Sequence, residues 1–234
     1  MNYLFKNEII DYDFINNKSN DTILFLHGWG GDKFSFKNSM NLLKLKYNIL
    51  TISIPTIIPT TSVWDIYDYT ELVYQIILLH SITNLIVICH SFGFRIATIL
   101  NTKLKFKKLI ITGGAGPKKI KKLSQIQKIN AILLLKLKKY KFLYKTTASK
   151  DYISLSKINK KTFKNIVNFN SINFMKFDCP ILAFWGKSDL ETPLWILNHI
   201  KRNNNVKSVT VDSGHFAYIT HSEQFNHEII RFLK

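Results

Sequence analysis

Three residue types that together carry out nucleophilic catalysis occur in this chain, and each stands just beyond a predicted strand. Ser91 follows Leu85–Cys89 with one residue between, whereas Asp189 and His215 lie four residues past the ends of Ile181–Trp185 and Val206–Val211. A serine hydroxyl attacks a carbonyl carbon when an imidazole accepts its proton, and a carboxylate orients that imidazole. This set of residues therefore predicts acyl chemistry if the fold brings the three side chains together.

Ser91 stands in the turn Cys89-His90-Ser91-Phe92-Gly93, between an apolar stretch and a helical one. A nucleophilic serine in such a turn needs small residues two positions before and after it, since the chain turns sharply there. Gly93 meets this requirement downstream, and Cys89 is small but is not glycine. The helix that begins here points its first amides at any developing negative charge. The alternative is an ordinary strand–turn–helix connection in which Ser91 caps the helix.

A glycine-rich turn follows the apolar stretch Thr22–Leu26. It consists of His27-Gly28-Trp29-Gly30, and its backbone amides are suited to hold an oxyanion. Open α/β sheets bind their ligands at the carboxyl ends of the strands. Ser91, Asp189, His215 and this turn all fall at such ends, so the sequence predicts one site at one edge of a sheet.

Apolar stretches alternate with helical ones along the chain. Continuous apolar runs are typical of strands buried on both faces, and the alternation predicts an α/β fold with a mainly parallel sheet and helices on both faces. The helix that runs to about Leu79 is expected to use Trp64 and Tyr67 as aromatic anchors. Beyond Thr22–Leu26, strands are predicted in an N-terminal hairpin and five further stretches: Tyr3–Phe5, Ile9–Phe14, Asn48–Ser53, Leu85–Cys89, Lys108–Thr112, Ile181–Trp185 and Val206–Val211.

A Lys-rich segment interrupts this alternation. Between Pro117 and Lys164 there are 15 lysines and one acid, Asp151. Apolar residues at helical spacing predict an amphipathic basic helix in its first half; they are Leu123, Ile126, Ile129, Ile132 and Leu133. We therefore expect a helical cap, or lid, at 117–170, inserted after the sixth strand, and an α/β core formed by 1–116 and 171–234.

The sequence resembles small α/β-hydrolase-fold serine hydrolases of the carboxylesterase kind that carry a helical cap. The resemblance rests on four motifs: Leu26-His27-Gly28-Trp29-Gly30-Gly31, His90-Ser91-Phe92-Gly93-Phe94-Arg95-Ile96-Ala97, Trp185-Gly186-Lys187-Ser188-Asp189 and Gly214-His215-Phe216. The chain order Ser, Asp, His is also that of this fold. The resemblance covers the core and implies that Ser91 is the nucleophile, His215 the general base and Asp189 the orienting acid. It further implies an oxyanion hole formed by the backbone amides of Trp29 and Phe92.

The chain departs from the family pattern in three places. Cys89 occupies a position where the family usually has glycine, and Phe94 one where it often has glycine. The loop Pro55–Ser62 lacks the Asp and Gly residues that the family places there. None of these departures removes a catalytic group.

Other assignments remain open at this point. Asp212 is the alternative orienting acid because it lies close to His215 in the sequence, although aspartate also favours turns. His221 and His227, at the last helix, are interpreted as surface residues. The substrate pocket is predicted to be lined by His27, Gly28, Gly30, His90 and Arg95.

The predicted reaction is hydrolysis of a carboxylic ester with an apolar acyl part, through an acyl-enzyme on Ser91. Thioesters and C–C bonds flanked by carbonyl groups are open to the same residues. A hydrolase-fold binding protein with weak turnover is the other class, in which the basic cap holds an acidic partner or an anionic lipid surface. We find no metal-ligand spacing among the histidines and acids, and we expect no cofactor.

Charge and composition argue against a nucleic-acid-binding protein, a membrane protein and a secreted protein. The formal net charge is +18, but 30 of the 33 cationic residues are lysine. Nucleic-acid binding is not expected, since base recognition favours arginine. No apolar run approaches the roughly 18 residues of a membrane span, and the N-terminus lacks the apolar stretch of a secretory signal. Two cysteines, Cys89 and Cys179, make no disulfide framework, so we expect a cytoplasmic protein that acts on a small molecule.

Overall fold

A computed structural model describes residues 1–117 and 155–234. The strands in these two ranges are β1 (Asn2–Phe5), β2 (Glu8–Ile15), β3 (Thr22–Leu26), β4 (Asn48–Ile52), β5 (Leu85–His90), β6 (Phe106–Thr112), β7 (Ile181–Gly186) and β8 (Val206–Val211). The helices in the same ranges are α1 (Lys37–Leu43), α2 (Ile66–Leu79), α3 (Phe92–Leu100), α4 (Lys157–Asn168), α5 (Leu194–Ile200), α6 (Ala217–Thr220) and α7 (Ser222–Leu233), with a short 3₁₀ helix at Ile172–Phe174.

The strands of the described residues form one eight-stranded sheet in the order β1-β2-β4-β3-β5-β6-β7-β8. From β4 to β8 all neighbours are parallel, whereas β1 and β2 form an antiparallel hairpin and β2 runs antiparallel to β4. The mainly parallel sheet and the N-terminal hairpin predicted from the sequence are therefore confirmed.

Both faces of the sheet are buried, which explains the continuous apolar runs of the central strands. In β3, Leu24 and Leu26 join the apolar core on one face, together with side chains of α2, α3 and α5. Ile23 and Phe25 join the core on the other face, together with side chains of α1, α6 and α7. Alternate residues of a strand point to opposite faces, so the four apolar residues of β3 alternate between the two cores.

The register of the parallel strands brings their carboxyl ends to one edge. Leu26 of β3 pairs with Cys89 of β5, and His90 of β5 pairs with Thr112 of β6. At the far side, Gly186 of β7 pairs with Val211 of β8. The turns that carry the candidate residues therefore start side by side.

The aromatic anchors expected for the helix that runs to Leu79 are only partly as predicted. Trp64 is fully buried and lies before α2 rather than in it, and Tyr67 is exposed; the aromatic anchor within the helix is the buried Tyr69. The prediction of Tyr67 was wrong because Tyr67, although it lies in the first turn of α2, is on the exposed side of the helix, whereas Tyr69 is on the buried side. The basic helix predicted around Ile126 lies outside the described residues, and the division into a core and a cap at 117–170 stays a prediction.

Candidate active site

Ser91 lies in the turn between β5 and α3, and its backbone is in a conformation that side chains rarely adopt. Its φ is 47° and its ψ is −113°. The turn is tight because α3 starts directly over β3: a Cβ atom at Gly93 would lie 2.2 Å from the carbonyl oxygen of Leu26. The hydroxyl of Ser91 makes no capping hydrogen bond to the helix, so Ser91 does not act as the ordinary N-cap that was the alternative.

The two unusual residues of this turn are accommodated by packing. Cys89 is buried, and its thiol donates to the carbonyl oxygen of Ile110 at 3.5 Å. Phe94 is fully buried and packs against Gly114. A Cβ atom at Gly114 would lie only 2.8 Å from Cδ1 of Phe94. Gly114, which follows β6, thus provides the space that a phenylalanine in α3 needs.

His215 and Asp189 are joined by a hydrogen bond at the same edge of the sheet. Nδ1 of His215 lies 2.9 Å from Oδ2 of Asp189, and both side chains are almost completely buried. The Asp189 carboxylate accepts three further hydrogen bonds, from the amide of Glu191 at 3.0 Å and from the amide and hydroxyl of Thr192 at 2.8 and 2.6 Å. This network fixes the carboxylate against the imidazole.

These contacts decide the ionisation of Asp189. Burial opposes the charged form, but hydrogen bonds from His215 and Thr192 outweigh burial and hold the pKa of Asp189 below its usual value. Asp189 is therefore a carboxylate at neutral pH and accepts the Nδ1–H of His215. This tautomer leaves Nε2 as the proton acceptor.

Thr192 was not singled out in the sequence, although it belongs to this network. It is 3% exposed, its hydroxyl lies 3.2 Å from Nδ1 of His215, and its carbonyl accepts from Nε1 of the buried Trp185 at 2.6 Å. The local signal was an Asp followed three residues later by a Thr, a spacing typical of turns in which the Asp side chain accepts from following amides.

The two amides predicted for an oxyanion hole lie at neighbouring turns. Within the described residues neither the amide of Trp29 nor that of Phe92 donates a hydrogen bond. The side chains of the two residues touch, with ring centroids 5.6 Å apart. The amide of Gly30, by contrast, donates a hydrogen bond to the hydroxyl oxygen of Thr56 at 3.0 Å.

The residues predicted to line a pocket are of two kinds. Two are glycines of the turn after β3, and three are side chains that bond to backbone groups. Gly28 lies against the turn that carries Ser91, since a Cβ atom there would approach Cδ2 of His90 to 2.8 Å, and Gly30 lies two residues further along the chain. His27 is buried, with Nδ1 bonded to the Gly28 carbonyl at 2.7 Å and Nε2 accepting from the amide of Ile54 at 2.9 Å. Both ring nitrogens of His27 are thus occupied by backbone, which favours a structural role.

His90 and Arg95 are also held by backbone groups. The His90 ring lies 4.6 Å from that of His215, and its Nδ1 donates to the carbonyl of Thr112 at 2.9 Å. Burial, with the nearby His215, lowers the pKa of His90 to about 3, so the ring stays neutral. Burial lowers the pKa of Arg95 to about 10, and its guanidinium donates to the carbonyl of Phe169.

The alternative acid and the other histidines lie apart from this network. Asp212 is exposed and forms an ion pair of 2.8 Å with Lys187. His221 contacts the hydroxyl of Thr220 at 3.0 Å, and His227 is exposed. The structure therefore brings Asp189 to His215 and leaves Asp212 at the surface.

Glu191 also lies at the imidazole, which the sequence did not indicate. Its Oε2 is 3.4 Å from Nε2 of His215, and 68% of its side chain is exposed. Glu191 thus occupies the position at Nε2 where a hydrogen bond from Ser91 would form.

Residues 1–117 and 155–234 contain neither a candidate membrane span nor a candidate metal cluster. In these ranges, no helix has the length and apolar character that crossing a bilayer requires. In the same part of the chain, no three side chains of His, Cys, Asp or Glu are grouped so that they could hold a metal ion.

Comparison with known proteins identifies the fold. No protein-family model and no curated protein matches the sequence. An esterase from Exiguobacterium antarcticum matches with a TM-score of 0.72 at 15% identity, over 96% of this chain and 95% of that one. An α/β hydrolase from a Medee basin deep-sea metagenome library matches with a TM-score of 0.76 at 14% identity, over 100% and 97%. A bromoperoxidase from Bacillus anthracis matches with a TM-score of 0.73 at 17% identity, over 100% and 99%. The chain therefore has the α/β-hydrolase fold, as the motifs predicted.

Proposed function

We propose that this protein is a serine hydrolase that cleaves a carboxylic ester through an acyl-enzyme on Ser91. The observation that carries the proposal is the buried Asp189–His215 hydrogen bond of 2.9 Å. It lies at the same sheet edge as a serine in a strained turn with φ of 47°. Strained residues persist where the surrounding structure enforces them, and they cluster at active sites.

The proposed reaction begins with acylation of Ser91. Nε2 of His215 accepts the proton of Ser91 as Oγ attacks the ester carbonyl, and Asp189 stabilises the imidazolium that results. The oxyanion accepts hydrogen bonds from the amides of Trp29 and Phe92, both of which lack another acceptor among the described residues. The imidazolium then protonates the alkoxide leaving group, and the acyl group stays on Ser91.

Water completes the cycle. His215 takes a proton from a water molecule, the hydroxide attacks the acyl carbonyl, and the proton returns to Ser91 as the carboxylic acid leaves. Before substrate binds, Nε2 faces the exposed carboxylate of Glu191. Catalytic hydrogen bonds commonly form only in the substrate complex, and an exposed glutamate rotates away without unpacking the core.

Aromatic rings flank the candidate site on two sides and favour an acyl group with an apolar part. The ring of Trp29 contacts Phe92 at 5.6 Å and Phe163 at 5.0 Å. On the other side, Phe216 contacts the ring of His215 at 5.4 Å. Among solved structures of the same fold, the E. antarcticum protein is titled an esterase, which supports ester chemistry here.

Steady-state hydrolysis of p-nitrophenyl esters, from acetate to decanoate, tests the proposal. We expect Ser91→Ala and His215→Ala to lower kcat/KM by about 10⁴-fold or more, and Asp189→Asn to lower it by about 10⁴-fold because the wrong tautomer is favoured. Asp212→Asn is the matched control, since Asp212 pairs only with Lys187 in the described part of the chain, and it should leave kcat/KM unchanged. If folded wild type hydrolyses none of these esters, or if Asp212→Asn is the damaging variant, the proposed function is wrong.

A further inference from the structure

The loop between β4 and α2 is held by one buried side chain from α4. Asn159 is 2% exposed, and its Nδ2 donates to the carbonyl oxygens of Thr56, Ile57 and Ile58 at 3.3, 3.0 and 2.9 Å. Its Oδ1 accepts from the amide of Thr60 at 3.3 Å. A single carboxamide thus contacts four backbone groups of one loop, although it is about 100 residues away in the chain.

Neighbouring residues of α4 extend this contact along one face of the helix. The hydroxyl of Thr162 accepts from the amide of Trp64 at 3.0 Å, and Nδ2 of Asn165 donates to the Trp64 carbonyl at 3.5 Å. Positions 159, 162 and 166 of α4 are buried. Residues three and four apart share a helix face, so α4 presents one face to the loop.

The loop in turn holds the turn that carries the oxyanion amide. The hydroxyl oxygen of Thr56, itself 3% exposed, accepts from the amide of Gly30 at 3.0 Å. The ring of Phe163 in α4 packs against the ring of Trp29 at 5.0 Å. Trp29 is therefore fixed on both sides of its free amide: by its ring against α4, and by the next residue against Thr56.

We propose that Thr56 and Asn159 are positioning residues for the oxyanion hole. Asn159 fixes the loop, the loop places the Thr56 hydroxyl, and that hydroxyl fixes the Gly30 amide so that the Trp29 amide points at the substrate oxygen. This inference rests on the proposed function. It also explains how a loop without the family's Asp and Gly residues keeps its buried backbone groups paired.

Thr56→Val and Thr56→Ser form the decisive pair. Valine has nearly the shape of threonine but leaves the Gly30 amide without its acceptor, whereas serine keeps the acceptor. Loss of an oxyanion donor costs about 10²–10³-fold in kcat; a displaced donor costs less, and we expect kcat of Thr56→Val to fall about 10-fold with KM within about 2-fold. Thr56→Ser should stay within about 2-fold of wild type in both constants.

Inhibition by a trifluoromethyl ketone gives a readout that a merely structural role would not change. Such a ketone forms a tetrahedral adduct whose oxyanion occupies the hole, so Thr56→Val should weaken inhibition about as much as it lowers kcat. A decanoate product, which forms no tetrahedral adduct, should inhibit wild type and variant equally.

Asn159→Leu tests the contact between α4 and the loop, with Lys164→Ala at an exposed position of the same helix as the control. We expect Asn159→Leu to lower kcat about as much as Thr56→Val does, whereas Lys164→Ala should leave kcat unchanged. If Asn159→Leu does not fold, the Thr56 pair still decides. An active wild type whose Thr56→Val variant equals Thr56→Ser in kcat and in ketone inhibition overturns the positioning role alone. A folded wild type that neither hydrolyses esters nor binds the ketone overturns the proposed function instead.

Discussion

Thr192→Val offers a quantitative test of the network around Asp189. The substitution removes the hydroxyl that donates to Oδ2 of Asp189 at 2.6 Å and keeps the shape of the side chain. The carboxylate retains three donors: Nδ1 of His215 and the amides of Glu191 and Thr192. A hydrogen bond to a charged group contributes about 1.5–3 kcal/mol, so with three donors left we expect a loss of about 2 kcal/mol at pH 7.

Thr192→Ser is the matched control, because it keeps the hydroxyl and removes only a buried methyl group. That removal should cost about 1 kcal/mol. The two losses also differ in their dependence on pH. The pKa of Asp189 is lowered in the folded protein, so its contribution to stability is complete above the unfolded pKa of about 3.9 and is lost as pH falls through the folded pKa.

Urea unfolding between pH 7 and pH 3 measures both effects. The deficit of Thr192→Val should be constant above about pH 4 and should shrink below it, whereas the deficit of Thr192→Ser should not change. The reasoning is refuted if Thr192→Val loses less than about 0.5 kcal/mol at pH 7, or if its deficit is the same at pH 3.

Three further predictions concern other parts of the site. Gly93→Ala should destabilise the protein by about 3 kcal/mol or more in urea, because its Cβ would lie 2.2 Å from the backbone oxygen of Leu26; a loss below about 1 kcal/mol would contradict the tight turn. Burial lowers the pKa of His90 to about 3, so the unfolded chain binds the extra proton between pH 6.5 and 3 and stability falls as pH falls. His90→Asn should reduce this slope by up to about 1.4 kcal/mol per pH unit, while the buried His27, whose pKa is also lowered, keeps part of it; an unchanged slope would show that His90 is not the group. Burial raises the pKa of Cys89, and that of Cys179 to about 11, so a disulfide reagent at pH 8 should label neither thiol until urea unfolds the protein, and rapid labelling of either native thiol would disprove this.

Much of the fold could be predicted because the central strands are buried on both faces. Thr22–Leu26 is buried throughout and has the bounds that its apolar run indicated. Val206–Val211 also has its predicted bounds, although it is the edge strand of the sheet and only partly buried. The helix α6 was not predicted, since its four residues, Ala217–Thr220, are too few to show a periodic pattern. The helix α4 was not predicted as a separate element, because only a few apolar residues interrupt its lysines and asparagines.

The candidate site could be predicted only where it follows from strand ends. Ser91, Asp189 and His215 each stand beyond a strand, and parallel strands bring such positions to one edge. The roles of Thr56 and Asn159 could not be predicted from the sequence. The hydrogen bond of Thr56 joins it to a residue 26 positions away, and those of Asn159 join it to residues about 100 positions away. Such pairs depend on how α4 packs, which local patterns do not specify.

Intact-mass spectrometry after treatment with a fluorophosphonate tests the central claim most directly. The reagent phosphonylates a serine only when a base activates it and an oxyanion hole accepts the adduct. We expect a single adduct on wild type, located by peptide mapping at Ser91 and absent from both Ser91→Ala and His215→Ala, with Asp212→Asn labelled like wild type. An adduct that persists in Ser91→Ala, or a folded wild type that remains unlabelled, would contradict the assignment of Ser91 as an activated nucleophile.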